Sequence, residues 1–366
     1  MIETIEASAL AIPFKLSFSH ASATRAGTQA ILVRAGARDG AVGFGEGCPR
    51  EYVTGESVST AQTFIARYVD EWRRQIAGVD GLRAWIGAHA EEIDANPAAW
   101  AAVETALLDL LARQRGCPVE TLLGLAALEG SFRYTAVIGD GPAREFDAQL
   151  ARYRQAGFRD FKIKLSGERA RDQAKAGALR GAGIAPECVR ADANNLWRDA
   201  AAAIEDLEAI GFPFFALEEP LQAGDYAGMA RVAAARGAAV IVDESMARAA
   251  QLESLCGAAE RWIVNLRVSK MGGVLRSLDF LARAKERGLR VIVGAHVGET
   301  SLLTRAALTV ARAAGDALAG QEGAFGTHLL ERDVVERPLM FGAAGRLDAA
   351  AFAAAPGWGL DVRPAA

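Results

Sequence analysis

Phe161-Lys162-Ile163-Lys164-Leu165-Ser166-Gly167 sets two lysines at i and i+2 in an otherwise apolar run that stops at a glycine. Side chains of a strand repeat every two residues, so both ammonium groups point to one face. Turned inward, two like charges side by side disfavour each other's protonation, a physical route to a neutral, basic lysine. Turned outward, they would be an ordinary solvated strand face. The surrounding chain decides between the two. From about residue 132 onward, short β-rich runs alternate with Ala-rich helical ones: 134–138, 161–165, 189–194, 214–219, 240–244, 262–270 and 291–296, with a weaker run at 319–325. Helical segments such as 200–210, 227–236 and 274–287 lie between them, each followed by Gly or Pro. Strand-helix alternation argues for a parallel α/β sheet, and a repeat of roughly 25 to 28 residues suits a closed barrel of β/α units.

The acidic residues fall on that frame. Asp192 lies in Arg190-Ala191-Asp192-Ala193-Asn194-Asn195, Glu218 and Glu219 in Leu217-Glu218-Glu219-Pro220, and Asp243 and Glu244 in Ile241-Val242-Asp243-Glu244-Ser245. Each group closes a strand run, and Asp192, Glu218 and Asp243 are 26 and 25 residues apart, one β/α unit each. The C-terminal ends of parallel barrel strands converge on one mouth, where catalytic residues collect. Three carboxylates there repel one another unless a cation sits among them. Hard oxygen donors without clustered Cys or His point to magnesium, with manganese as a substitute. A lone strand-end Asp would instead be a helix N-cap. Lys270 ends the next run, 27 residues after Asp243. Strands 2 and 6 of an eight-stranded barrel are diametrically placed, so Lys164 and Lys270 are expected to flank a bound substrate. Arg267, three residues before Lys270, is expected to turn away from the mouth.

The first part of the chain reads as a small α+β unit. Residues 2–14 alternate weakly, two strands flank the turn Ala37-Arg38-Asp39-Gly40, and helical spacing runs over 60–77 and 97–115. Two polar loops, 18–25 and 48–56, carry Phe18, His20, Arg25, Arg50 and Tyr52, which are expected to cover a substrate pocket.

Composition excludes several classes. The 366 residues are 51% hydrophobic and 23% charged, with a formal net charge of −4, so no electrostatic footprint for nucleic acid or an anionic membrane is present. No apolar stretch approaches the length that spans a bilayer, and the N-terminus lacks the layout of a signal peptide. A cytoplasmic protein is expected. Cys48, Cys117, Cys188 and Cys256 are scattered without metal-binding spacing.

These motifs, in this order and spacing, resemble the enolase superfamily, in its muconate lactonizing enzyme-like subgroup, over nearly the whole chain. The resemblance implies a modified TIM-type (β/α)7β barrel at 126–329 beneath an α+β capping domain at 1–125, with 330–366 packing back on the cap. It implies that Lys164 and Lys270 are acid/base lysines and that Lys162 tunes Lys164. It implies that Asp192, Glu218 and Asp243 hold magnesium, with Asn194, Glu219 and Glu244 in support. Mandelate racemase-like members carry a His-Asp pair on strands 7 and 6; here His296 ends strand 7, but Lys270 holds the strand 6 position. His296 is then a pocket residue or a hydrogen-bonded structural histidine. Dipeptide epimerases share the loop Val53-Thr54-Gly55-Glu56, yet their Asp-x-Asp after strand 8 is Gln321-Glu322-Gly323 here, which puts Glu322 in the pocket and argues against dipeptides. Glu299 matches an acidic position of lactonizing enzymes, or is a carboxylate at a helix N-terminus.

The implied activity is that of an isomerase that removes the proton next to a substrate carboxylate and passes through an enolate. A racemase or epimerase of an amino-acid derivative comes first, with a cycloisomerase or a dehydratase on the same half-reaction as alternatives. The implied partners are a small-molecule carboxylate and further copies of the chain. Two other classes compete: a non-catalytic barrel scaffold, and a metal-dependent hydrolase, which would favour clustered histidines. Only His20, His89, His296 and His328 exist, and they are dispersed.

Overall fold

The computed structural model describes residues 2–20 and 23–363, excluding the side chains of 16–20, 23 and 24. The opening strands are β1 (Ile2–Leu10), β2 (Pro13–His20), β3 (Ala23–Gly27), β4 (Ala30–Ala37) and β5 (Val42–Gly47). An antiparallel sheet in the order β1-β4-β5 packs on the buried helix Pro97–Gln114, while β2 and β3 form a separate hairpin. Gly43-Phe44-Gly45-Glu46-Gly47 permits that packing. A Cβ at Gly43, Gly45 or Gly47 would lie 2.3, 2.2 or 2.0 Å from a carbonyl oxygen of the helix, so only glycine lets strand and helix approach so closely. The hairpin corrects the expectation of a loop at 18–25: Phe18 pairs with Arg25 and Ser19 with Thr24.

After β6 (Ser131–Arg133) come the barrel strands: β7 (Ala136–Ile138), β8 (Phe161–Lys164), β9 (Val189–Asp192), β10 (Ala216–Glu218), β11 (Ala239–Val242), β12 (Trp262–Leu266), β13 (Arg290–Val293) and β14 (Leu318–Gln321). All eight are parallel and neighbour one another in chain order. Thr135 N donates to Gln321 O at 2.8 Å and joins the two ends of the sheet. α-Helices follow the strands, except that 3-10 turns at Ala249–Ser254 and Ala259–Arg261 replace the helix between β11 and β12. This is a (β/α)7β barrel with an α+β N-terminal domain.

Barrel alternation sets the depth of each layer. Ala216, Ile241, Ile263 and Ile292 cluster as one buried apolar layer. Two residues further along the same strands, and therefore on the same face, come Glu218, Asp243, Asn265 and Gly294. A Cβ on Gly294 would meet Asn265 Oδ1 at 2.1 Å, so the glycine leaves room for the Asn265 amide, which donates to Glu218 Oε1 at 3.1 Å. The apolar layer is thus the floor, and the polar layer lies directly above it.

The C-terminal segment returns to the earlier elements. β15 (Arg346–Asp348) pairs antiparallel with β6, and Trp358 donates its backbone N–H to Asp109 and its indole N–H to the Thr105 carbonyl on the helix Pro97–Gln114. Among the described residues no helix is long and apolar enough to cross a membrane.

Candidate active site

The paired lysines both point into the barrel. Lys164 Nζ donates to Asp192 Oδ2 at 2.5 Å and to Asn194 Oδ1 at 2.8 Å. Lys162 Nζ sits 2.9 Å from the same Asp192 oxygen and 2.7 Å from Glu218 Oε2, and donates to Glu322 Oε2 at 3.1 Å. Burial alone would lower the Lys162 pKa, but Asp192, Glu218 and Glu322 outweigh it and hold the ammonium well above its ordinary value. The expectation that the two lysines discharge each other is therefore wrong for Lys162: three carboxylates fix it as a cation.

Asp192 and Glu218 are register partners on β9 and β10, and Asp243 follows β11. Burial raises the Asp192 carboxyl, yet Lys162 and Lys164 overcome it and keep the group below the usual carboxylate range. Asp243 is held low in the same way, against burial, by Arg267 and Lys270. Glu218 goes the other way, pushed up to about 8 by burial and then by the Asp192 charge. Its Oε2 has no aligned hydrogen-bond partner despite the nearby Lys162. Glu244 also lines the cavity with an unpartnered Oε2, and burial with the Asp243 and Glu219 charges pushes it to about 8.

The remaining strand-end groups are positioned by local backbone. Asn194, Asn195 and Glu219 take the left-handed region at φ 48°, 61° and 38°. That costs a non-glycine residue energy and occurs where surrounding contacts over-determine it. Glu219 lies outside the cavity: its Oε1 accepts from the N–H groups of Asp243 (2.6 Å) and Ser245 (2.8 Å), and its Oε2 from Ser245 Oγ and Asn195. It shapes the end of the neighbouring strand. Glu322 accepts from Arg190 (2.6 Å) as well as Lys162; burial would raise it, but those two cations hold it at about 2.

Sequence spacing misassigned β12. The strand ends at Leu266, Arg267 is the last extended residue, and Val268–Met271 forms one short helical turn closed by Gly272 at φ 79°. Arg267 follows Asn265 by two, so it stays on the inner face and lines the cavity. Its guanidinium contacts Asp243 Oδ2 and lies 4.0 Å from Glu218. Lys270 does not line the cavity. It is fully buried, with Nζ donating to Asp243 O (2.7 Å), Asp243 Oδ1 (2.9 Å) and Asn265 O (2.8 Å). The pair Gly272-Gly273 was the available signal, since a double glycine after a short run marks a helix C-terminus.

The expected pocket residues divide. Tyr52 and His296 line the cavity with Glu322. Neither ring nitrogen of His296 has a hydrogen-bond partner among the described residues, so it is not a hydrogen-bonded structural histidine. Burial, then the charges of Arg267, Arg50, Lys270 and Arg25, hold it neutral, well below its ordinary pKa. Arg50 is not on the cavity wall: it donates to the carbonyls of Gln29, Pro49 and Val297 and pins the 48–56 segment to the loop that follows β13. Arg25 stands 5.6 Å over the Tyr52 ring. Glu299 lies off the cavity wall and precedes the helix Ser301–Ala314; it accepts from His296 N at 2.6 Å, and burial pushes it to about 8. The side chains of Phe18 and His20 lie outside the described residues.

Among the described residues, no group of three Asp, Glu, His or Cys side chains is set to hold a metal ion as it stands. Nor is a metal the only way to make this acidic layer tolerable, as the sequence had suggested. Lys162, Lys164, Arg190, Arg267 and Lys270 supply the opposing charge that buried carboxylates require. The donor set still fits a hard cation: oxygens from three adjacent strand ends, with Glu218 Oε2 paired to the Lys162 charge but without an aligned hydrogen-bond donor.

A fold and mouth of this kind define the class. Residues 2–124 match the mandelate racemase / muconate lactonizing enzyme N-terminal domain, and residues 145–366 match the enolase C-terminal domain-like family. The L-Ala-D/L-Glu epimerase of Bacillus subtilis is 29% identical over 303 residues, 81% of each chain. The aromatic dipeptide epimerase of Herpetosiphon aurantiacus is 30% identical over 305 residues, 81% of this chain and 82% of that one. The crystal structure of muconate lactonizing enzyme from Pseudomonas fluorescens complexed with muconolactone superposes with a TM-score of 0.84 at 25% identity, covering 99% of this chain and 96% of that one. The chain belongs to the mandelate racemase / muconate lactonizing enzyme family of the enolase superfamily. It is an isomerase of that superfamily.

Proposed function

We propose that the protein is a magnesium-dependent isomerase of small carboxylates whose proton-transfer group is Lys164. The observation that carries this is the division of labour in the lysine pair. Lys162 is locked as a cation by three carboxylates, whereas Lys164 lies on the cavity wall with Asp192 and Asn194 as its side-chain partners among the described residues. A positioned base of this kind contributes ~10²–10⁴-fold to a proton abstraction.

Asp192, Glu218 and Asp243 would hold the magnesium, for which manganese could substitute. When bound, such an ion supplies positive charge beside the substrate carboxylate and so favours the enolate. Asn194 orients the Lys164 ammonium, and Asp192 stabilises its charged form after it has taken the proton. Lys162 keeps a fixed positive charge under the reacting carboxylate. Tyr52 covers the cavity from the capping side, which restricts water at the reacting carbon. Epimerisation, racemisation and lactone formation all begin or end at this one proton transfer, consistent with epimerases and a lactonizing enzyme among the relatives.

The test is solvent deuterium exchange at the α-carbon of N-acyl amino acids, dipeptides and lactones in the presence of magnesium. The wild-type protein should exchange at least one of these, and Lys164→Ala should lower the rate at least ~10²-fold. Exchange that persists in Lys164→Ala would remove the base from this assignment.

A further inference from the structure

We propose that Lys175, a buried lysine on the helix Arg169–Gly181, is a positioning residue that fixes the backbone of Lys164, a role that deepens the function proposed above and rests on Lys164 being its base. The need for such a residue comes from the sheet. Ile163 is the last residue of β8 with a partner on β7, which ends at Ile138. On the other side the ladder continues: Lys164 pairs with Asp192, and Leu165 N donates to Asp192 O at 2.9 Å. A trans peptide points its C=O away from its N–H, so the Lys164 carbonyl faces the side where β7 has stopped. A buried carbonyl needs a hydrogen-bond donor, and here it belongs to the very residue whose ammonium must be aimed. Lys175 Nζ takes the vacant place and donates to Lys164 O at 2.7 Å.

The same ammonium ties three elements together. Its other two donors go to Asp140 Oδ1 at 2.7 Å, in the loop after β7, and to Asp172 Oδ1 at 2.9 Å, one helical turn earlier. Asp172 is itself buried, and accepts from the backbone N–H groups of Ser166 (3.0 Å) and Gly167 (3.1 Å) and from the Ser166 hydroxyl. One ion pair on one helix therefore holds the chain from Lys164 to Gly167 as it leaves the strand. Neither Lys175 nor Asp172 lines the mouth cavity. All three N–H donors of Lys175 are spent on protein oxygens, so its effect on proton transfer runs through the Lys164 backbone. From that anchor the Lys164 ammonium reaches Asp192 and Asn194. A displacement of about 1 Å at a reacting group can cost ~10²-fold in rate.

The experiment removes the tether without stranding a charge. Lys175→Met combined with Asp172→Asn deletes both members of the ion pair, leaves Asp140 with Arg171, and keeps an amide oxygen for the Ser166 and Gly167 N–H groups. The probe is whichever of L-Ala-L-Glu, N-succinyl-L-lysine and muconolactone the magnesium-loaded wild type exchanges fastest. For it, kcat for α-deuterium exchange is expected to fall ~10–100-fold with KM within about twofold. Arg305→Met breaks the buried ion pair with Glu120, off the cavity wall, and should lower Tm while leaving kcat of the folded protein within about twofold. Unchanged kcat in the double variant, or an equal fall in Arg305→Met, would overturn the proposal. If the double variant does not fold, Asp140→Asn, on a partly exposed residue, loosens the same ammonium and should lower kcat at least ~3-fold with KM kept; no change there contradicts the role equally. Backbone hydrogen exchange reads the tether without any substrate. The Leu165 amide should exchange at least ~10-fold faster in the double variant and at the wild-type rate in Arg305→Met, and unchanged protection overturns the proposal whichever probes react. Deuterium uptake that survives Lys164→Ala removes the base reading and with it this role for Lys175, and a faster Leu165 amide then shows that the tether itself was not at fault.

Discussion

Two sets of buried acids divide this molecule. At the barrel mouth, Asp192, Asp243 and Glu322 stand against lysines and arginines, which hold their carboxyls low. Glu46 and Glu104, along the seam between the α+β part and the barrel, and Glu56, inside the α+β part, meet backbone N–H groups instead. Glu46 accepts from Thr300 and Leu303, Glu56 from Ala98 and Ala99, and Glu104 from Val274 and Leu275, each at the start of a helix. Burial dominates there and pushes them to about 7, 7 and 8. Backbone dipoles satisfy hydrogen bonds but bring no full countercharge, so these acids fix helix starts, while Asp192, Asp243 and Glu322 keep their charge; Glu218 and Glu244, which share the mouth, are pushed to about 8 as the helix-start acids are.

The largest effect should come from the mouth. Lys164→Met is expected to cut α-proton exchange by ~10²–10⁴-fold with a smaller fall in Tm than a seam variant, because Lys162 remains as countercharge to Asp192 and an apolar chain of similar length fills the same space. A fall in Tm as large as that of a seam variant would blur the distinction.

At the seam the outcome should be reversed. Glu104→Ala leaves the Val274 and Leu275 N–H groups buried and unpaired, and should cost about 1–3 kcal/mol in denaturant unfolding, while the folded fraction keeps its exchange rate within about twofold. A neutral result would mean that the seam acids are dispensable.

The pH dependence comes next, and the raised mouth carboxyls Glu218 and Glu244 share its sign, so the variant assigns the part due to Glu104. A seam carboxyl with its pKa raised from 4.5 to 7 or 8 binds its proton more tightly in the folded state. Its stabilising contribution is present in full below the unfolded value and is lost as pH rises through 7 to 8. Tm should therefore fall between about pH 5 and pH 9, and Glu104→Gln should flatten that slope. A slope unchanged in the variant would assign it elsewhere. The smallest expected change is at the cover. Tyr52→Ala should alter relative rates among substrates only a few-fold, since Tyr52 touches the cavity from its exposed side.

Much of the mouth was legible in the sequence. Asp192, Glu218 and Asp243 recur at the β/α period, and Lys162 and Lys164 share a strand face, because a barrel repeats its geometry once per unit. Arg267 and Lys270 were exchanged in facing because a four-residue helix begins where the strand pattern was carried on, and parity counting fails at an unseen change of period. The pairing of 18–20 with 23–25 was missed because the stretch carries no glycine, proline or asparagine to signal a reversal of the chain. Glu104 was missed for another reason: inside Pro97–Gln114 it reads as one polar residue on a helix, and only the packing on every side shows that it is buried.

The contrast between the two sets reduces to whether the mouth, and not the seam, takes up a divalent cation. Calorimetric titration of magnesium into the wild-type protein, Asp243→Asn and Glu104→Gln tests this directly. One site is expected in the wild type, the same affinity in Glu104→Gln, and at least ~10-fold weaker binding in Asp243→Asn, which replaces one anionic oxygen ligand. No binding heat in the wild type, or equal affinity in Asp243→Asn, would contradict the account.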